Sequence, residues 1–75
     1  MQFADLVFDK FGCCGDHHSA HVAHPNGTRT EVTDNDDGTY TAATFRGSCL
    51  CAGVALLTGA NEVEARLASD ALLRP

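Results

Sequence analysis

Two turn signals, Pro25-Asn26-Gly27 and Asp34-Asn35-Asp36-Asp37-Gly38, constrain this chain more than any other feature. Proline sets its own φ, and Asn-Gly accepts the positive φ values of a tight hairpin turn. The second turn is polar and ends on glycine. Between and around them lie segments suited to a pleated sheet: Ser19 to His24, Thr28 to Thr33 (rich in Thr and Val), and Thr39 to Phe45 (rich in Thr with a Tyr). The pattern predicts a three-stranded antiparallel meander. A two-residue loop at Asn26-Gly27 would set His21 opposite Val32 and Ala23 opposite Thr30. If the second hairpin pairs Val32 with Tyr40, Thr30 faces Ala42. One face would then carry His21, Ala23, Val32, Tyr40 and Ala42, with at least one histidine turned inward.

The flanking segments extend this frame. Gln2 to Phe11 reads as a short helix, with Phe3, Leu6, Val7 and Phe11 on one face and Gly12 as its stop. Leu50 to Leu57 is continuously apolar, the length of a buried fourth strand. Asn61 with Glu64 three residues on has the spacing of a capping box, and Glu62 adds a second acid in the first turn. A helix is therefore expected from Glu62 to Leu73, with Val63, Leu67 and Ala71 as its buried stripe and Leu72 beside it. Arg74 follows at the end where the helix dipole favours a cation. The expected class is α+β: a short N-terminal helix, an antiparallel three- to four-stranded sheet, and a C-terminal helix packed on it. All 75 residues form a single domain, 1–75.

Composition narrows the function classes. Hydrophobic content of 44% is too high for a disordered segment. A net charge of −5 with only five basic residues speaks against nucleic acid and anionic membranes, whose phosphates require Lys and Arg. No apolar stretch approaches the ~20 residues of a membrane span. No basic, apolar and small-residue targeting segment is visible, so the expected location is cytoplasmic, where thiols stay reduced.

The residues able to carry chemistry are Cys13, Cys14, His17, His18, His21, His24, Cys49 and Cys51. A structural zinc takes four tetrahedral Cys or His ligands. Cys13 or Cys14 with His17 could close around one ion from a Gly-containing loop. Cys49 and Cys51 would supply the distant pair, since on a regular strand both point to one face. The competing reading makes Cys49 and Cys51 small buried apolar side chains. A thiol-redox reading pairs Cys13 or Cys14 with Cys49 or Cys51, but the Cys-x-x-Cys that opens a helix in such proteins is missing. A helix begun at Asp16 would align His17, His21 and His24 on one face, though with no Glu base beside them. The acidic turn from Asp34 fails the EF-hand pattern, because its fifth position is Gly38 and its twelfth is Phe45. No phosphate loop, nucleophile elbow or Ser-His-Asp order is present.

Ala20-His21-Val22, Pro25-Asn26-Gly27, Glu31-Val32-Thr33 and Gly38-Thr39-Tyr40-Thr41-Ala42, with Cys14-Gly15, His17 and the helix from Glu62, together resemble a class of small phage-encoded α+β proteins. His24 stands where that class has an aromatic residue, and Cys13, His18 and Cys51 also depart from it. The resemblance implies an accessory protein of a phage or prophage and carries over no catalytic residue. The expected function is thus a non-enzymatic binding module that binds and modulates a host protein. A structural zinc-binding domain and a small thiol-redox protein are the alternatives. The expected partner is a protein, with a homodimer also consistent with so small a core.

Overall fold

Every second residue of Thr28–Asp34 is buried at first, Thr28, Thr30 and then Val32, as expected of a strand with one face turned to the core. The structure, a computed structural model, describes residues 2–11 and 17–74. A 3-10 turn, Phe3–Asp5, is followed by strands β1 (Asp9–Phe11), β2 (His17–Ala23), β3 (Thr28–Asp34), β4 (Tyr40–Arg46) and β5 (Cys49–Leu57), and by helix α1 (Ala60–Ala71). The strands form one antiparallel sheet in the order β1-β2-β3-β4-β5. The α+β class is as expected, but among the described residues the sheet has five strands where three to four were anticipated.

The N-terminal segment is the first correction. Gln2 to Phe11 does not form a helix. One turn closes through Asp5 N–H to Gln2 O at 3.0 Å and Leu6 N–H to Phe3 O at 3.1 Å, and the chain is extended from Leu6 onward. A ten-residue helix has little stability of its own. Extended backbone instead brings Leu6 and Phe8 to one side, where Phe3, Phe8 and Tyr40 cluster with ring centroids 5.3 to 6.1 Å apart. Val7, assigned inward on helical spacing, is exposed.

The first hairpin differs by one residue, which inverts a whole strand. His24 N–H donates to Thr28 O at 2.8 Å and Gly27 N–H to His24 O at 3.2 Å, so the loop holds three residues, Pro25 to Gly27. Gly27 takes φ +87°, the left-handed position that ends such a loop. Proline has no N–H with which to join the ladder opposite Thr28. The register therefore pairs Ala20 with Val32, His21 with Glu31 and Val22 with Thr30. Ala20 and Val22 face the core, while His21 and Ala23 are exposed. In the second hairpin Val32 pairs with Ala42 and Thr30 with Thr44. That shift of two residues preserves the face, so Val32 and Ala42 are buried as anticipated.

Helix α1 starts at Ala60 with Gly59 as its N-cap, and Asn61 does not cap it. Thr58 donates from its amide and hydroxyl to the Glu62 carboxylate instead. Glu64 accepts the Phe3 amide and ties the N-terminal turn to the helix. The buried stripe is Val63, Leu67 and Asp70; Ala71 and Leu72 are exposed. Val63 and Leu67 pack on Val22, Val32, Ala42 and Leu57 to form the core. The far end of the helix is capped by the first hairpin. The Asn26 amide donates to the Asp70 and Leu73 carbonyls, each at 2.8 Å, and its oxygen accepts from the Thr28 amide at 3.0 Å and from the Thr28 hydroxyl.

Asn26 thus shapes the turn and closes the helix. Asn26→Ala should lower stability by about 2 kcal/mol, at ~1 kcal/mol per net hydrogen bond lost at the helix end. Urea unfolding would show a lower midpoint at unchanged slope, and an unmoved midpoint would contradict this account.

Candidate functional site

Of the residues grouped as zinc ligands, the sheet sets His17 apart from Cys49 and Cys51. His17 opens β2, paired with Phe11. Cys49 pairs with Arg46, and Arg46 with Thr28, at the opposite end of the strands. The offset along the strands is on the order of 20 Å, with a further ~14 Å across β3 and β4, whereas zinc ligands lie about 2.3 Å from the metal. Cys13 and Cys14 lie outside the described residues. Among the described residues no group of three or more His, Cys, Asp or Glu stands together as a cation site. Cys49 and Cys51 are exposed free thiols, which corrects the buried reading. Cys51 is an extra residue in β5, because Thr44 pairs with Ala52 and Phe45 with Leu50. His17, His21 and His24 do not share a helical face, since His17 to Ala23 is extended.

The most organised polar group among the described residues was not among the sequence candidates. Asp70, 2% exposed, points from α1 between β3 and β4. Its Oδ2 accepts the hydroxyl protons of Thr30 and Thr44, each at 2.6 Å, and the Arg66 Nε–H lies 3.1 Å from both carboxylate oxygens. Arg66 also donates to the Thr44 hydroxyl at 2.8 Å and to the Gly53 carbonyl at 2.7 Å. The Thr30 proton is committed to Asp70, so Thr30 Oγ1 accepts from His24 Nε2–H at 2.7 Å. Burial pushes the Asp70 carboxyl up. The two threonine hydroxyls and the Arg66 guanidinium together outweigh that and hold it below the usual carboxylate range. With its oxygens occupied, the carboxylate works as a clamp between helix and sheet.

His24 also lines a shallow groove with Val22, Ala23, Pro25, Leu67, Ala68 and Ala71. Its volume of about 230 Å³ is below the ~300 Å³ at which ligand pockets begin.

A third feature is the surface at β5. This edge strand runs nine residues, Cys-Leu-Cys-Ala-Gly-Val-Ala-Leu-Leu, without a charge or a proline. Leu50, Val54 and Leu56 are 52%, 61% and 64% exposed. Leu50 pairs with Phe45 and Leu56 with Thr41, on the face turned away from α1. Gly53 and Val54 together oppose Ala43, a bulge whose Gly53 carbonyl is held by Arg66. On the same face the β2–β3 side is polar, with His21 3.8 Å from Glu31 and the Arg29 guanidinium 5.2 Å from the Phe45 ring centre. The apolar part is confined to β4 and β5. Among the described residues no helix is long and apolar enough to cross a membrane.

Comparison with protein-family models, with curated proteins and with solved structures returned no match.

Two outcomes are expected from this geometry. A carboxyl that ionises more readily when folded adds stability that is complete above its unfolded pKa, near 3.8, and is lost as pH falls through the folded value. The urea midpoint of the wild type should fall on acidification below about pH 4, and Asp70→Asn should flatten that limb. Because Asp70→Asn leaves Arg66 without its charge partner, it should also cost about 3–5 kcal/mol at neutral pH. An acid limb of the same depth in both proteins would assign it elsewhere, for instance to Asp37, whose carboxyl is lowered by Thr39. Second, Cys49→Ser with Cys51→Ser should leave zinc uptake unchanged in native mass spectrometry. Loss of a bound zinc on that substitution would show that the two ends of the sheet supply one site.

Proposed function

We propose that this chain is a non-enzymatic protein-binding module whose contact surface is β5 with the adjoining outer face of β4. The carrying observation is the uncharged nine-residue edge strand with Leu50, Val54 and Leu56 in solvent. Proteins ordinarily protect an edge with lysine, proline or a covering element, since its unpaired N–H and C=O groups invite another strand. Here the irregularities at Cys51 and at Gly53–Val54 are the protective features within the strand. Strand addition joins partners through main-chain hydrogen bonds, while alternate side-chain contacts select among them. The surroundings favour protein over nucleic acid: the chain carries −5, β5 has no cation, and the Arg29 guanidinium beside the β4 face lies over the Phe45 ring. The hairpin motifs that resemble phage-encoded proteins support a phage or prophage accessory role in which the partner is a host protein.

The test is a pull-down from bacterial lysate with two baits, wild type and Leu56→Lys. Leu56 is exposed and contributes nothing to the core, so the variant should fold. A stoichiometric partner held by the wild type and lost by Leu56→Lys is the expected result. A partner held equally by both baits would place binding elsewhere on the molecule.

A further inference from the structure

We propose that β5 also pairs with β5 of a second copy, antiparallel, about a two-fold axis through Gly53. The proposal rests on the reading of β5 as the contact strand and names a partner for it. Counting outward from Gly53, Leu50 of one copy falls opposite Leu56 of the other, and Cys49 opposite Leu57. The faces agree at both positions. Leu50 and Leu56 pair with Phe45 and Thr41 on the outer face, while Cys49 and Leu57 pair with Arg46 and Tyr40 on the inner one. The irregular residues of β5, Cys51, Gly53 and Val54, fall at the centre. Two short regular ladders therefore flank the axis, each with a Leu50–Leu56 contact on the outer face. The operation generates one continuous sheet with both helices on the same side, and the interface is isologous.

Charge along the strand does not oppose a copy. Two molecules of net charge −5 repel, but no charged residue lies anywhere in β5, so no like charges meet across the pairing. Size sets the strength. A nine-residue strand is about 30 Å long and a sheet edge about 10 Å thick, which gives roughly 300 Å² per copy. A stable interface buries about 800 Å² per partner, so this pairing is a dissociable one.

Within one copy, positions 50 and 56 are six residues apart along an extended strand, too far for their side chains to meet. A charge pair placed there can be satisfied only between copies. Sedimentation velocity over a concentration series should show wild type passing from monomer to dimer. Leu50→Lys and Leu56→Glu should each weaken the dimer about tenfold, because a charge then faces a leucine at both symmetric contacts. The double variant, Leu50→Lys with Leu56→Glu, should regain dimerisation and lose it again at high salt. Val7→Lys, at an exposed apolar position outside the sheet, should dimerise as wild type does, and circular dichroism should be unchanged throughout. A monomeric wild type at all concentrations overturns the self-pairing. So does a double variant no better than the single ones. If wild type is monomeric while Leu56→Lys still loses its lysate partner, self-pairing fails and the binding role stands. If wild type dimerises as described but no lysate partner is held, the hetero-partner fails and self-pairing stands.

Discussion

Asp70 reaches from α1 toward the sheet, and its carboxylate accepts the hydroxyls of Thr30 on β3 and Thr44 on β4 while Arg66 covers its remaining side. The rest of the layer arrangement depends on this contact. The core it sits in is small: Val22, Val32, Ala42, Leu57, Val63 and Leu67. Such a group of short side chains favours contact between helix and sheet but specifies little about how the helix lies, because hydrophobic burial is not directional. The charged hydrogen bonds are directional. They fix which turn of α1 faces which pair of strands. A buried ion pair of this kind adds little net stability over an apolar pair of equal size, yet removing one partner is costly. Its effect is thus on the placement of the helix more than on the depth of the energy minimum. No buried side-chain N or O atom among the described residues lacks a partner, as such a network requires.

The same construction explains why the sheet has one finished face and one unfinished one. A single helix contacts β3 and β4 from one side. Threonines at 28, 30 and 44 fill inward positions where a larger core would use valine or leucine, and two of them serve Asp70. On the outer face, polar residues line β2 and β3, but toward β5 the surface turns apolar. Leucines at 50 and 56 realise only part of their burial in the isolated chain, since they stay more than half exposed. Their burial would have to come from another molecule, whether a different protein or a second copy.

Much of the fold was legible in residues whose effect is local. The two turns, the strands between them, the apolar run at 50 to 57 and the C-terminal helix all follow from backbone preferences and periodicity. The N-terminal segment misled because its apolar spacing suits a helix as well as a turn followed by extended chain. Contacts of Phe3 and Phe8 with Tyr40, far away in sequence, decided between them. A two-residue loop would turn His21 inward, while the three-residue loop with Gly27 at φ +87° turns it out. The zinc grouping of Cys13, Cys14, His17, Cys49 and Cys51 needs His17 close to Cys49 and Cys51. The register sets His17 and Cys49 at opposite ends. Asp70 is invisible to apolar periodicity because a carboxylate fills a position of the buried stripe. Its position seven residues after Val63, with Arg66 four before it, was the available signal.

The sequence by itself determined the elements from β2 to α1 and their order, because turn chemistry, β propensity and helical periodicity act over a few residues. It also determined the absence of charge along β5, which is a property of nine consecutive residues. Only the tertiary structure decided that β5 lies at an edge, that His21 faces out, and that a carboxylate at position 70 is buried between two strands. Those outcomes depend on strand register and on partners some 26 to 40 residues away in sequence. A one-residue change in a loop reverses them without altering any local preference.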